Sequence, residues 1–283
     1  MEYSKANKAL STFERDQFSI GHLTSFFNGK YLFDVTPELI EKYKVMRLKK
    51  VQPAAVNREL ACLKHMYTKA IAWGYVKINP AKSVKLFKEP PGRLRYLKPD
   101  EIENLLASCP RHIRPVVLTA VNTGMRRGEI FNLKWRDLDL ENRKLTVVNA
   151  KNNESRVIPI NQTLYEEFKT LLKVATGEYV FSRRNAEPLK DIRTGFAVAL
   201  KRAKIKDFRF HDLRHTFDSH LVMQGVNLRA VQQLMGHKDI KMTMRYPHLS
   251  PEHVQQAVEK LDNRWTLFGH QKTLKTGNLR ISV

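Results

Sequence analysis

Two neighbouring segments of the chain alternate apolar and polar residues, as β-strands do. In most other patterned segments the apolar residues have the spacing of a helix. Residues 144–149 and 156–160 alternate apolar and polar side chains, and the polar run 151–154 between them is typical of a hairpin turn. Elsewhere, apolar residues recur every three or four positions, which is the period of an amphipathic helix. The pattern therefore predicts a mainly α protein with a small antiparallel β-sheet in its C-terminal domain.

Breaks in the helical pattern divide the 283 residues into two domains, a linker and a tail. Residues 1–88 contain amphipathic segments separated by turn signals, and they predict a helical bundle. One of its helices is predicted to follow a cap at Ser11, with Phe18 as an apolar position, and another is predicted to begin at Thr36 and Pro37. The run Pro90–Gly92 cannot continue a helix, so residues 89–98 are predicted to link the domains. Residues 99–262 are predicted to form the second domain, with one helix from Glu129 to Trp135, and residues 263–283 are a tail without a clear pattern.

Basic residues exceed acidic ones along the whole chain. Lys and Arg total 50 against 28 Asp and Glu, which gives a net charge of +22. A basic excess that is spread over a chain is typical of proteins that bind nucleic acid. One helix of the bundle ends in a basic cluster of Lys44, Arg47, Lys49 and Lys50, and a helical bundle with a basic surface suits a DNA clamp. The basic residues around the linker are predicted either to follow phosphates or to lie on a solvated tether.

The cysteine and apolar patterns exclude several other classes of protein. Cys62 and Cys109 lie in apolar helical contexts, which predicts buried thiols and no disulfide. The chain shows no spacing of zinc ligands, no apolar run that could span a bilayer and no signal peptide in its first residues. We therefore expect a cytoplasmic, nucleoid-associated protein that has no membrane partner and no metal.

Four residues in the segment 208–250 have side chains suited to chemistry on a phosphodiester. His211 and Arg214 are three positions apart, so they share one face of a helix, and His237 and Tyr246 follow, nine positions apart. The planar guanidinium of Arg fits phosphate oxygens, and His exchanges a proton near neutral pH. Tyr is one of the side chains that form covalent enzyme intermediates. Together with the net positive charge of the chain, these four residues indicate phosphoryl chemistry on nucleic acid.

These residues belong to motifs that resemble those of the tyrosine recombinase (phage integrase) family. The motifs, in chain order, are TGMRRGEI at 123–130, Lys151 in the predicted hairpin turn, HDLRHTF at 211–217, LMGHKDIKMT at 234–243, and Tyr246. Their order and spacing cover the predicted second domain, while the N-terminal bundle resembles the family's core-binding domain more loosely. The resemblance implies a two-domain protein with the tyrosine recombinase catalytic fold that closes on duplex DNA as a C-shaped clamp.

The resemblance implies that the catalytic residues are Arg126, Lys151, His211, Arg214, His237 and Tyr246. Tyr246 would attack the scissile phosphate, so that a 3′-phosphotyrosyl bond forms and a 5′-hydroxyl group leaves. His211 would take the proton of the tyrosine, and Lys151 would protonate the leaving 5′-oxygen. The covalent bond conserves the energy of the broken phosphodiester, so rejoining needs no nucleotide or other cofactor.

The remaining three catalytic residues would hold the phosphate. By the same resemblance, Arg126 and Arg214 would bind its non-bridging oxygens, and His237 would add a third hydrogen bond. Fixed cations aimed at oxygens that gain negative charge lower the barrier to reaction. Two arginines would thus replace the metal ions that many phosphoryl-transfer enzymes use.

Other residues within these motifs have less specific predictions. Glu129 either orients Arg126 or is a solvated charge on a helix, since Glu is usually exposed. Arg127 is predicted to lie at the surface or to contact a backbone phosphate. Asp212 is predicted to cap or pair locally, and His215 to pack against or orient its helix.

The implied function is site-specific recombination, in which strand exchange integrates or excises a mobile element. The implied partners are two double-stranded DNA sites, a homotetramer that binds them, and accessory DNA-bending factors. A helix predicted at 250–261 and the tail after it are candidates for packing onto a neighbouring protomer. Nothing before Ser11 resembles the arm-site domain of many phage integrases, which leaves a two-domain recombinase and a truncated chain as alternatives.

Three other functions remain open at this point. One is an Xer-like recombinase that resolves chromosome dimers, which would use the same motifs. The second is a type IB topoisomerase, which would use the same tyrosine chemistry to relax DNA. The third is a DNA-binding protein without catalysis, since motif matches carry a risk of false positives.

Overall fold

The computed structural model describes residues 2–90, 93–149, 154–183 and 186–243. Contacts divide the chain into two compact units, with the division between residues 92 and 93. The described residues are mainly helical, and a small antiparallel sheet lies in the second unit, which confirms the expected fold class. Among the described residues, no helix combines the length and apolar composition needed to cross a membrane.

The first unit contains helices α1 (Glu2–Asn7), α2 (Leu10–Phe27), α3 (Pro37–Leu48) and α4 (Pro53–Ala72). Helix α3 begins where the sequence predicts, because Thr36 Oγ1 accepts a hydrogen bond from Leu39 N and Pro37 occupies the first turn. Helix α2 starts slightly before its predicted cap at Ser11.

Large apolar side chains from α2, α3 and α4 form the core of the first unit. Leu23, Ile40, Val56 and Leu60 are almost fully buried there, and each such side chain contributes about 1.5–3 kcal/mol relative to exposure. Phe18, predicted to be an apolar position of α2, is instead 76 % exposed. The buried face of α2 therefore runs through Leu23 and leaves Phe18 in solvent.

Two members of the basic cluster at the end of α3 are buried within the first unit. Arg47 pairs with Glu59, with Nη2–Oε1 and Nε–Oε2 distances of 2.5 and 2.9 Å. Lys44 donates a hydrogen bond of 2.7 Å to a backbone carbonyl. Arg47 and Lys44 therefore do not belong to the expected basic surface, because α3 turns this face toward the core, where buried charges require partners. Lys49 and Lys50 are exposed, as predicted.

The second unit contains helices α5 (Pro99–Ser108), α6 (Arg114–Thr123), α7 (Arg127–Phe131), α8 (Gln162–Leu172), α9 (Arg193–Arg202), α10 (Asp212–Met223) and α11 (Leu228–Met235). One cluster of buried apolar side chains joins these helices to the sheet, and it includes Val116, Ile130, Leu145, Ile158 and Phe168. This continuous core holds α6, α7, α10 and the sheet in fixed positions, and those elements carry the candidate site.

The sheet has three antiparallel strands, β1 (Leu138–Asp139), β2 (Lys144–Asn149) and β3 (Glu154–Pro159). The hairpin of β2 and β3 is the predicted one, with Val147 opposite Arg156. Strand β1 was not predicted, because two residues are too short to show an alternation. The helix predicted from Glu129 to Trp135 ends at Phe131 instead.

The segment just before α5 is attached to α10 along one face of that helix. Arg93 donates a hydrogen bond of 2.8 Å to Asp212 Oδ2, and Leu97 N donates one of 3.1 Å to Thr216 Oγ1. The ring of His220 lies 2.8 Å from Leu97 O through Nε2. These three positions of α10 are four residues apart and therefore stack on one face. This half of the predicted linker is thus anchored to the second unit and is not a solvated tether.

Candidate active site

Arg214, the third residue of α10, connects two other parts of the site. It is 4 % exposed, and its guanidinium donates from Nη1 to Gly124 O and from Nη2 to Met235 O. These carbonyls lie two residues before Arg126 and two residues before His237. One buried side chain therefore holds both of those segments around the same point, as the predicted phosphate site requires.

Gly124 makes this close approach sterically feasible. It follows α6 with φ of 61°, a left-handed conformation that favours glycine. A Cβ atom built at this position would lie 2.5 Å from Cδ1 of Phe217 and 2.7 Å from Sδ of Met235. The glycine of the TG motif is therefore required both by the backbone conformation and by the packing of α10 and α11 against it.

Arg126 precedes α7 and is oriented by Glu129, one helical turn later. The carboxylate accepts hydrogen bonds from Arg126 N at 2.7 Å and from Arg126 Nη1 at 2.9 Å. The Arg126 side chain is 41 % exposed, whereas that of Glu129 is 14 % exposed. Of the two interpretations of Glu129, the structure supports the one in which it orients Arg126. Arg127, the adjacent residue, is exposed, as predicted.

Glu129 also binds Arg156, which extends from β3. Arg156 Nη2 and Nη1 donate to the two carboxylate oxygens at 2.7 and 3.1 Å, and Arg156 Nε donates to Leu234 O at 3.0 Å. Burial alone would raise the pKa of Glu129, but hydrogen bonds from Arg156 and Arg126 lower it to about 2. The carboxylate is therefore ionised and connects the hairpin, the start of α7 and the end of α11.

His237 follows the C-terminal end of α11. Gly236 closes that helix with φ of 61°, and His237 is held there by a hydrogen bond from His237 N to Gln232 O at 3.1 Å and one from Gln232 Nε2 to His237 O at 3.0 Å. The ring nitrogen Nδ1 lies 2.9 Å from Oγ1 of Thr243, which is fully buried. Nδ1 is thus engaged inside the protein, whereas Nε2 has no hydrogen-bond partner among the described residues and can meet a ligand.

His211 lies directly before α10 and is exposed to solvent. Loss of solvation, followed by the positive charges of Arg214 and Arg126, lowers the pKa of His211 below its ordinary value. Its ring packs edge-on against that of His215, with centroids 5.2 Å apart, so His215 packs against a site residue as predicted. A neutral imidazole at this position can accept a proton at neutral pH.

Positive charge accumulates where these residues meet. Burial and then the charge of Arg126 lower the pKa of Arg214 to about 10, although Glu129 and Asp218 act in the opposite direction. Burial and then Arg214, Arg126 and Arg156 lower the pKa of His237 to about 4. The part of both shifts that comes from neighbouring arginines reflects positive charge that would favour a bound anion.

A cavity of about 350 Å³ opens beside His237. Its lining includes the cationic side chains of Arg156, Arg229 and Lys238, together with Ser155 and Gln232. A polar cavity with several cations suits an anionic ligand better than an apolar one. Among the described residues, no group of His, Cys, Asp and Glu side chains has the arrangement of a metal site.

The structure thus brings together four of the six predicted catalytic residues, namely Arg126, His211, Arg214 and His237. The other two, Lys151 and Tyr246, lie outside the described residues, as do the predicted helix 250–261 and the tail 263–283. The predicted thiols are free; Cys62 is buried and Cys109 is half-buried.

Sequence reasoning missed two residues of this site, Arg156 and Thr243. Arg156 shares a strand face with Ile158, which is buried, so an arginine at an inward-facing position was the available signal. Thr243 had no comparable signal, because a threonine in a turn is usually exposed. Their partners, Glu129 and His237, are both among the residues that the sequence singled out.

Comparison with known proteins agrees with the geometry. The profile of the phage integrase family matches residues 95–253, and that of the phage integrase SAM-like domain matches residues 1–86. The first match includes every residue of the candidate site and more than half of the chain. The second covers the helices of the first unit.

Two relatives and a solved structure are also similar to this chain. The integrase of Salmonella phage P22 is 29 % identical over 94 % of this chain and 78 % of its own. Tyrosine recombinase XerA of Pyrococcus furiosus is 30 % identical over 62 % of this chain and 64 % of its own. A crystal structure of a lambda integrase dimer bound to a core site shares the fold, with a TM-score of 0.72, 21 % identity and coverage of 84 % of this chain and 92 % of that chain. The chain therefore belongs to the phage integrase family, whose members are the tyrosine recombinases, enzymes that cut and rejoin DNA.

Proposed function

We propose that this chain integrates or excises a mobile element by site-specific strand exchange between two double-stranded DNA sites. In this proposal Tyr246 attacks the scissile phosphate and forms a 3′-phosphotyrosyl bond, while a 5′-hydroxyl group leaves. The 5′-hydroxyl of the partner strand then attacks that bond, which rejoins the DNA and releases the tyrosine. Bond energy is conserved in the covalent intermediate, so the cycle is complete without a cofactor.

The observation that carries this proposal is the position of the buried Arg214, which donates to the carbonyls two residues before Arg126 and two residues before His237. Burial, and then the positive charge of Arg126, lower the pKa of Arg214 to about 10. A phosphodiester bound there would supply the missing negative charge, and a phosphorane, which is more negative, would gain more. Arg126 and Arg214 are assigned to the non-bridging oxygens, and His237 donates a third hydrogen bond. Such preorganised donors typically contribute about 3 kcal/mol each to a transition state.

Two proton transfers complete the proposed step. His211 accepts the proton of the tyrosine hydroxyl, which otherwise ionises only near pH 10. Its lowered pKa keeps the ring neutral at pH 7 and thus able to act as a base. Lys151 gives a proton to the leaving 5′-oxygen. His211 gains one proton and Lys151 loses one, so the summed charge of these two side chains is the same before and after cleavage.

The proposal extends to binding and assembly. The net charge of +22 supports binding to the DNA backbone, with a slope of log affinity against log salt of about −0.9 for each phosphate contacted. We propose that each chain binds a DNA site in the cytoplasm and that four chains act on two sites. Accessory DNA-bending factors are further candidate partners.

The test is a recombination assay with the DNA that flanks the gene. Supercoiled plasmids that carry two candidate sites are incubated with the purified chain, and the products are mapped by restriction digestion and sequencing. Exchange at one defined position, lost in Tyr246→Phe and in Arg214→Ala, is the expected result. Relaxation of plasmids without any site preference would instead assign a topoisomerase, and binding without any cleavage would assign a non-catalytic DNA-binding protein.

A second candidate function is the resolution of chromosome dimers. The match to a recombinase named XerA favours it, because the same catalytic residues serve both outcomes. The same plasmid assay separates the two, since the flanking sites of a mobile element recombine in one case and a chromosomal site recombines in the other.

A further inference from the structure

The ring of His237 has two nitrogens with different surroundings. Nδ1 lies 2.9 Å from the hydroxyl oxygen of Thr243, whose side chain is fully buried. The backbone of His237 is fixed on both sides by Gln232. The ring is therefore held in place by Thr243 from within, while Nε2 stays directed away from that contact.

The groups that face this ring are cationic or can become so. They come from three elements: Arg214 and His215 on α10, Arg126 before α7, and Arg156 on β3. Together with burial they lower the pKa of His237 to about 4. The ring is consequently neutral at physiological pH and carries one proton, on either Nδ1 or Nε2.

The position of that proton decides what the ring can do for a bound phosphate. With the proton on Nε2, the ring donates a hydrogen bond to a phosphate oxygen. With the proton on Nδ1, the lone pair of Nε2 would face the lone pairs of that oxygen, and the two would repel. A hydroxyl group can either donate or accept, but only as a donor does it match a ring whose proton is on Nε2.

We propose that Thr243 is a positioning residue that donates its hydroxyl proton to Nδ1 of His237 and so fixes the neutral tautomer with its proton on Nε2. This inference rests on the proposed function, in which His237 donates to the scissile phosphate. Thr243 touches neither DNA nor the reacting atoms and acts entirely through the histidine. Without its hydroxyl, Nδ1 would be a buried acceptor with its partner removed, and such a group is costly.

The local structure fits a positioning role better than simple packing. Thr243 N donates to Ile240 O at 2.9 Å, so the backbone that carries the hydroxyl is itself held by the preceding turn. A β-branched side chain has few rotamers, which keeps the hydroxyl in register with Nδ1. Packing alone would be served equally well by valine, which has the same shape and no hydroxyl.

Because valine and threonine have the same shape, two substitutions of Thr243 can separate the role of its hydroxyl group from its packing. Thr243→Val keeps the volume and removes the hydroxyl, while Thr243→Ser keeps the hydroxyl and removes a methyl group. Each is compared with the wild type in single-turnover cleavage of a suicide substrate that carries the recombination site. We expect Thr243→Val to cleave about tenfold more slowly, which corresponds to one lost hydrogen bond of about 1.4 kcal/mol. DNA affinity should be unchanged within about twofold, and Thr243→Ser should cleave at nearly the wild-type rate.

A double-variant cycle separates action through the histidine from general damage. If Thr243 works only through His237, adding Thr243→Val to His237→Ala should cause no further loss of cleavage. A full additive loss in the double variant, or equal losses in Thr243→Ser and Thr243→Val, would assign Thr243 a structural role and overturn the proposal.

The tautomer itself is read by ¹⁵N spectra of histidine-labelled full-length chain with inorganic phosphate as the probe, and His237→Gln identifies the signals. The expected spectrum shows an unprotonated Nδ1 and a protonated Nε2, with loss of this preference in Thr243→Val. A proton on Nδ1 in the wild type, or identical ring signals in Thr243→Val, would overturn the proposal. If the wild-type chain cleaves no DNA, the proposed function fails, while the spectra still decide the role of Thr243.

Discussion

The carboxylate of Glu129 accepts two hydrogen bonds from the guanidinium of Arg156, at 2.7 and 3.1 Å, across 27 positions of sequence. The same carboxylate orients Arg126, and the same guanidinium donates to the last turn of α11, just before His237. Two side chains that are not proposed to touch DNA thus connect the elements that carry Arg126 and His237. A disturbance at Arg156 should therefore reach the chemistry without altering any group that binds the phosphate.

Replacing Arg156 by lysine tests this connection. A single ammonium group cannot make the three hydrogen bonds of the guanidinium fork, so we expect a loss of about 1–3 kcal/mol in the free energy of unfolding. Cleavage should fall as well, because Arg126 loses the support of a fixed Glu129. Arg127→Lys is the matched control, since Arg127 is exposed, and its effect should stay within about 0.5 kcal/mol. Equal stabilities of the two variants in urea unfolding would contradict this view.

Glu129 should give the protein a distinct dependence of stability on pH. Its pKa is lowered from 4.5 to about 2 in the folded state, so its contribution is fully present above pH 4.5 and is lost as pH falls toward 2. A shift of this size corresponds to about 3 kcal/mol. Urea unfolding at a series of pH values should therefore show the difference between wild type and Glu129→Gln shrinking over that range. A difference in stability that does not change with pH would mean that folding does not lower the pKa of Glu129.

Substitution of Gly124 should damage the site through the backbone. Gly124→Ala places a Cβ atom 2.5 Å from Phe217 and adds left-handed strain at φ of 61°, so the carbonyl that receives Arg214 must shift. We expect a loss of at least about 1–3 kcal/mol in stability together with loss of cleavage. Gly128→Ala is the control, because a Cβ atom there meets nothing within 4 Å, and alanine in a helix is favoured by about 0.5–1 kcal/mol. Equal melting temperatures in the two variants would argue against a special role for Gly124.

The cleavage rate should report the titration of His211. A protonated imidazole cannot take the proton of a tyrosine, so the rate should fall as pH decreases through the pKa of this residue. Because that pKa is below its ordinary value of 6.5, the acid limb of the profile should lie below pH 6.5. Single-turnover cleavage across pH 5–8 measures it, and His211→Gln should remove the limb. An acid limb that survives in that variant would assign the base to another group.

Much of the fold and part of this site follow from local sequence signals. Thr36 and Pro37 start α3 as predicted, since a helix cap depends on residues within one turn. Strand β2 spans the predicted residues, because alternation over six positions is unambiguous.

The remaining features depend on partners that are distant in sequence. Nothing local to Arg47 indicates that Glu59, on the next helix, would bury its charge, so the sequence does not show that Arg47 leaves the expected basic surface. In the same way, the attachment of Arg93 to Asp212 joins residues 119 positions apart. Charged residues on helices are usually solvated, and only the packing of whole elements determines which of them become buried pairs.

The central claim is that the cationic site formed by Arg126, Arg214 and His237 serves a covalent attack on one phosphate by Tyr246. Its most direct test is to trap the chain on a suicide substrate, digest the complex and identify the DNA-linked residue by mass spectrometry. The account predicts a 3′-phosphate joined to Tyr246, absent in Tyr246→Phe although that variant still binds DNA. A link to any other residue, or an adduct that persists in Tyr246→Phe, would contradict it.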